Sequence, residues 1–204
     1  MPGLTLPHDN LIVSSVSHDA EQIVMASKAA GKKIQLTAIT PLPIQIDYET
    51  PKTLGVDRLA AACGALQLFP NEPCLIIDAG SCINYELLDD HRVYRGGIIS
   101  PGVNMRFKAM HTFTARLPLV EAVTNAPLVG NSTQTCMQSG VMNGILEEMR
   151  GIMARMRPNY PHLRVILCGG DAYLFENQLK PSIFAAPELV LVGLNRILNH
   201  NVPI

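Results

Sequence analysis

The sequence predicts a mixed α/β protein whose sheet is partly antiparallel. Apolar runs of strand length alternate with amphipathic helical stretches toward both ends of the chain. Short β-like runs separated by turn residues fill its middle, and 48% of its 204 residues are apolar, ample for a packed core. A doubly wound dinucleotide fold would not carry that central run of hairpins.

Each element has a local reason. Leu11-Ile-Val-Ser-Ser-Val16 is a short apolar run ending at Ser17-His-Asp19, and the stretch after it, with Ile23, Val24 and Ala30, has helical spacing up to Gly31. A second strand is expected around Ile34 to Ile39, then an irregular connection through Thr40-Pro-Leu-Pro-Ile44. Gly55 to Leu66 reads as an Ala-rich helix, apolar on most of its circumference and therefore buried. After the break at Asn71-Glu-Pro73, Cys74 to Leu88 reads as two strands joined at Ala79-Gly80-Ser81, with Asp89-Asp90-His91 as the next turn. Gly96-Gly97 and Ser100-Pro-Gly102 read as turn punctuation before a helix through Met105, Phe107 and Met110. Asn131-Ser-Thr133 is a capping-type start for a long helix in which Met137, Val141, Ile145, Met149 and Ile152 recur every three or four residues. That methionine-rich face reads as core filling. Arg164 to Cys168 is a strand, Gly169-Gly-Asp171 a turn, and Pro187 to Asn199 the last helix.

Composition narrows the function. The formal net charge is -1 and no Lys/Arg run exists, which argues against nucleic acid or an anionic membrane surface as partner. No apolar stretch approaches the roughly 20 residues of a membrane span, and Met1 to Asn10 lacks the basic-then-apolar order of a signal peptide, so a cytoplasmic protein is expected. The partner is a small molecule or another subunit. Cys63, Cys74, Cys82, Cys136 and Cys168 are odd in number and mostly inside apolar runs, as reduced core residues would be. The six histidines show no pairing with cysteine or carboxylate at the spacing of a transition-metal site.

Three short segments could carry chemistry. Asp78-Ala-Gly-Ser81 ends an apolar strand with a carboxylate and a glycine turn whose backbone N–H groups can approach a polyphosphate; Asp78 could hold a cation and Ser81 donate to a phosphate oxygen. On these four residues alone the favoured reading is a tight turn in which Asp78 caps its own backbone. Gly55-Val-Asp-Arg58 puts an acid and a guanidinium at a helix start, as base and anion clamp, or simply as an acid that offsets the helix dipole. Cys168-Gly-Gly-Asp171 offers bare backbone to a nucleotide, or marks a close strand-to-helix crossing. Thr133, Tyr48 and Gly96-Gly97 read singly as a cap, a surface aromatic and a turn.

Taken in order, these segments resemble type III pantothenate kinases over nearly the whole chain. Gly55-Val-Asp-Arg58 matches the family's G-x-D-R, with Tyr48 seven residues before Gly55 where members place a substrate-contacting tyrosine. Asp78-Ala-Gly-Ser81 is similar to D-A-G-T, and Gly96-Gly-Ile-Ile-Ser-Pro-Gly102 to G-G-x-I-x-P-G. Thr114-Ala-Arg-Leu-Pro118 stands for T-A-x-L-P, Gly130-Asn-Ser-Thr133 for G-x-N-T, and Cys168-Gly-Gly-Asp-Ala172 for T-G-G-D-A. The resemblance implies an actin-like ATPase fold of two RNase H-like halves, here 1–70 as the remainder of the first and 71–204 as the second. It also implies a homodimer that phosphorylates pantothenate with ATP. By motif position Asp57 is the catalytic base, and Tyr48, Gly55, Val56, Asp57, Arg58 and Thr133 bind pantothenate. Gly80, Ser81, Gly169 and Gly170 bind ATP, accompanied by magnesium, and Asp78 binds a monovalent cation, potassium or ammonium.

The resemblance has departures. No D-x-G-N-T occurs, the hairpin with which members meet the β- and γ-phosphates, and Ser14-Ser15-Val16 matches a family segment that lies downstream of it. The expectation is therefore a nearly complete pantothenate site with an incomplete ATP site, belonging either to an active kinase whose recorded sequence starts late or to a non-catalytic pantothenate- or nucleotide-binding homologue. Ser81 in place of threonine keeps the hydroxyl, while Asn84 and Glu86 replace the usual threonine and aspartate of the following strand.

Overall fold

A computed structural model describes residues 10–14, 24, 27 and 29–202. The end of the first predicted strand, and nearly all of the helix expected between Ser17 and Gly31, lie outside the described residues. In chain order the strands are β1 (Leu11–Val13), β2 (Lys33–Gln35), β3 (Gln45–Ile46), β4 (Cys74–Ala79), β5 (Cys82–Leu88), β6 (Val93–Pro101), β7 (Arg164–Cys168) and β8 (Phe184–Ala185). The helices are α1 (Val56–Leu68), α2 (Val103–Phe113), α3 (Thr133–Met156), the single turn α4 (Glu176–Leu179) and α5 (Leu189–Asn201). The chain forms two compact units, one from Met1–Asn71, Leu88–Gly96 and Glu188–Ile204, the other from Glu72–Leu87 and Gly97–Pro187. The mixed α/β class expected from the sequence is the class observed.

In the first unit β1 pairs in parallel with β2, Ile12 opposite Ile34, and β3 pairs in parallel with the start of β6, Gln45 opposite Val93. Helix α1 is buried from Leu59 to Leu66, as its all-round apolar sequence requires. It packs on α5 at two glycines. A Cβ on Gly64 would strike the Leu189 carbonyl, and one on Gly193 the Ala60 carbonyl, so both positions let the helix backbones approach closely. Burial beside this contact pushes the Cys63 thiol up to about 12, and it stays neutral core filling.

In the second unit the strand order is β6, β5, β4, β7, β8. β4 and β7 are parallel, Asp78 opposite Cys168. A two-residue connection joins β4 to β5, which only antiparallel neighbours permit, so the sheet is mixed. Cys74 to Ile77 are all buried, the continuous apolar run of a strand covered on both faces. Met137, Val141, Ile145 and Met149 of α3 pack with Leu75, Ile77, Tyr85 and Phe107 in one core, so the methionine face is indeed packing.

Gly96-Gly97 is not a turn. Both residues lie inside β6. Gly96 takes φ +90°, a conformation glycine adopts without a Cβ penalty, and a Cβ there would press the Tyr48 ring. A Cβ on Gly97 would run into the backbone carbonyl of Tyr85. Glycine serves close approach at this place, which sequence alone does not distinguish from chain reversal. The cap of α3 also shifts by one residue from Thr133: Ser132 is the N-cap, accepting from the Thr135 N–H at 3.2 Å in a reciprocal capping box.

Candidate functional site

The candidate acceptor residues gather in the first unit at the start of α1. Gly55 is the N-cap, and Asp57 lies in the first helical turn with its carboxylate exposed. Its Oδ1 accepts from the Arg58 N–H at 2.9 Å. A Cβ on Gly55 would come within 2.5 Å of that oxygen, so glycine leaves the room for the carboxylate to fold over the helix start. The Arg58 guanidinium carbon lies 5.9 Å from the centroid of the Tyr48 ring, within cation–π reach. Tyr48 in turn tilts at 59° against Tyr94, centroids 6.2 Å apart, and Tyr94 is fully buried. Tyr48 is therefore anchored rather than a loose surface aromatic. Acid, guanidinium and phenol form one surface, able to clamp a small carboxylate and receive a proton.

Arg95, absent from the sequence-based site, braces the segment leading to Tyr48. Its Nη1 donates to Asp47 at 2.7 Å and its Nε to Asp89 at 2.8 Å. Burial pushes the Asp89 carboxyl up, but the Val93 N–H, Arg95 and the His91 N–H outweigh it and hold the group below its ordinary value.

In the second unit two glycine turns stand side by side at the carboxyl ends of parallel β4 and β7. The Asp171 N–H donates to the Ala79 carbonyl at 2.8 Å, joining the turns. The Gly102 N–H donates to Ser81 O at 3.1 Å, and a Cβ on Gly102 would collide with the carbonyls of Gly80 and Ser81. Gly169 has φ +93°, and a Cβ on it would strike both the Ala79 carbonyl and the Asp78 carboxylate. Asp78, half-buried, thus sits between the turns. Burial pushes the Cys168 thiol up, and the neighbouring carboxyls of Asp78 and Glu86 add to the shift. Burial likewise raises the Asp171 carboxyl.

A cavity of about 480 Å³ opens in front of these turns, lined by Gly80, Ser81, Asn104, Met105, Lys108, Gly170 and Asp171. A Cβ on Gly170 would meet nothing within 4 Å, so bare backbone faces open space. The structure thus brings together Asp78, Gly80, Ser81, Gly169 and Gly170. Thr133 is not among the cavity's lining residues; it is exposed at the first position of α3. Sequence reasoning missed Asn104 and Lys108, although their spacing of four on a predicted helix puts them on one face.

Glycine turns at the carboxyl ends of adjacent parallel strands, with a carboxylate between them and a cavity beyond, mark the candidate site of a mixed α/β protein. Its fold is shared with the crystal structure of a Baf family transcriptional activator from Campylobacter jejuni, at a TM-score of 0.67 and 21% identity over 96% of this chain and 85% of that one. A family model described as type III pantothenate kinase matches residues 1–155. Type III pantothenate kinases of Cytophaga hutchinsonii and Bacteroides fragilis are 52% and 49% identical, covering 80% and 90% of this chain and 69% and 76% of their own lengths. That of Porphyromonas gingivalis is 41% identical over 98% of this chain and 84% of its own. The chain belongs to the type III pantothenate kinase family.

Proposed function

We propose that this chain transfers the γ-phosphate of ATP to the primary hydroxyl of pantothenate, the first step of coenzyme A biosynthesis. The observation that supports the reading is the family's ordered motifs: an exposed acid beside an arginine at a helix start in the first unit, and glycine turns beside a cavity in the second.

In this reading Asp57 takes the proton of the attacking hydroxyl, the oxygen displaces ADP from the γ-phosphorus, and the proton leaves on the carboxylate. Arg58 holds the pantothenate carboxylate, with Tyr48, Gly55 and Val56 beside it, and Thr133 is assigned to pantothenate by its motif alone. Ser81, Gly80, Gly169 and Gly170 hold the nucleotide. Asp78 fits a hard cation, since its carboxylate and the turn carbonyls are oxygen donors; potassium or ammonium would be held there, and magnesium would arrive on the phosphates. The cation would neutralise charge as the phosphoryl group transfers. We place the protein in the cytoplasm as a homodimer, each chain made of two RNase H-like halves. That no helix among the described residues is long and apolar enough to cross a membrane agrees with that placement.

The test is product formation with ATP, magnesium and potassium, following ADP release and phosphopantothenate by mass. Pantothenate-dependent ADP release is expected; ADP release indifferent to pantothenate would overturn the reading.

A further inference from the structure

The nucleotide cavity has a wall that none of the motifs supplies. Asn104, Met105 and Lys108 of α2 face it opposite the Gly80-Ser81 and Gly170-Asp171 turns. Asn104, Lys108 and Asp171 also line an adjoining cavity of about 350 Å³. Lys108 is the one basic residue lining either cavity. Its neighbour Arg106 is committed elsewhere, donating to Glu148 at 2.6 Å, to the Ser100 hydroxyl at 2.8 Å and to the Pro101 carbonyl at 2.9 Å. No such commitment holds Lys108, which makes no ion pair among the described residues.

Charge explains why the cavity needs it. Asp171 lines both spaces and Glu121 the adjoining one, so a polyphosphate entering there meets acidic side chains. Backbone N–H groups and the Ser81 hydroxyl offer dipoles but no net charge. A lysine ammonium supplies one, with three donors on a flexible stem that can follow a phosphate tail. We propose that Lys108 is a phosphate-binding residue of this enzyme, its ammonium contacting the phosphates of ATP from the α2 side of the cavity. The proposal rests on the nucleotide reading of the cavity given above.

The test is equilibrium binding of ATP to the full chain and to Lys108→Met and Lys108→Arg, at low and moderate salt, alongside the KM for pantothenate. The methionine variant is expected to bind ATP about tenfold more weakly with a flatter salt dependence, the loss of one charge-assisted contact, and the arginine variant to recover most of the affinity. The pantothenate KM stays unchanged. Equal ATP affinity in Lys108→Met, or a loss that Lys108→Arg does not restore, overturns the proposal. Should Lys108→Met fail to fold, Lys108→Gln carries the same comparison. Wild-type protein that binds no ATP sinks the kinase reading of the cavity instead, a separate outcome.

Discussion

An acid in the first turn of a helix ordinarily does no more than offset the helix dipole, and the proposal of a further role for Asp57 rests on its neighbours. Gly55 leaves room for its carboxylate, and Arg58 beside it is held against Tyr48. Replacing Asp57 with Asn keeps the shape and removes the carboxylate proposed as proton acceptor. Turnover is expected to fall about 10²- to 10⁴-fold while calorimetric pantothenate affinity stays within about threefold. Wild-type turnover would remove Asp57 from the base role. Gly169 is a second test at this scale: in Gly169→Ala the methyl group has no room at φ +93° against the Ala79 carbonyl and the Asp78 carboxylate. The variant should lose about 1–3 kcal/mol in urea unfolding and raise the KM for ATP more than that for pantothenate. Both residues were legible in the sequence because the motif names them. Lys108 was not, since a lone lysine in an amphipathic helix carries no pattern until the cavity it lines is seen.

At the scale of elements, the β4–β5 hairpin and helices α1 and α3 could be read directly, because their apolar periods and turn residues agree with their burial. Strand β6 could not, because its two glycines signal a break locally while the structure uses them for contact with Tyr48 and the Tyr85 backbone. A polar network tying β5, β6, α2 and α3 was equally hidden. Glu148 accepts from the Tyr85 hydroxyl at 2.7 Å, the Ser100 hydroxyl at 3.1 Å and Arg106 at 2.6 Å. Its members lie as far as 63 residues apart in sequence, so no local pattern links them. Burial pushes the Glu148 carboxyl up, but those three donors prevail and hold it below its ordinary value. A carboxylate with a lowered folded value stabilises the fold above the unfolded value of about 4.3, and that contribution disappears as pH falls through the folded value. Glu148→Gln should therefore be less stable than wild type near pH 7, by about 1–3 kcal/mol in urea unfolding, with the gap closing as pH drops below about 4. A gap constant from pH 7 to pH 3 would mean that the charge of Glu148 contributes nothing.

For the whole molecule, the sequence carries the family and the order of its motifs but not the path of the chain between units. Leu88–Gly96 and Glu188–Ile204 join the first unit through the pairing of β3 with β6 and the packing of α1 on α5, contacts between segments distant in sequence. The proposed acceptor residues Tyr48, Asp57 and Arg58 belong to one unit, and the proposed nucleotide residues Ser81, Lys108, Gly169 and Gly170 to the other. Hydrogen exchange with each ligand alone tests that distribution. ADP near 100 times its Kd adds about 2.7 kcal/mol by linkage, and its local protection should fall on amides of 79–81, 103–108 and 169–171. Pantothenate should instead slow exchange at 56–59 and around Tyr48. Pantothenate protection confined to 79–81 and 169–171, with residues 56–59 unaffected, would move the acceptor out of the first unit and remove the support for Asp57 as its base.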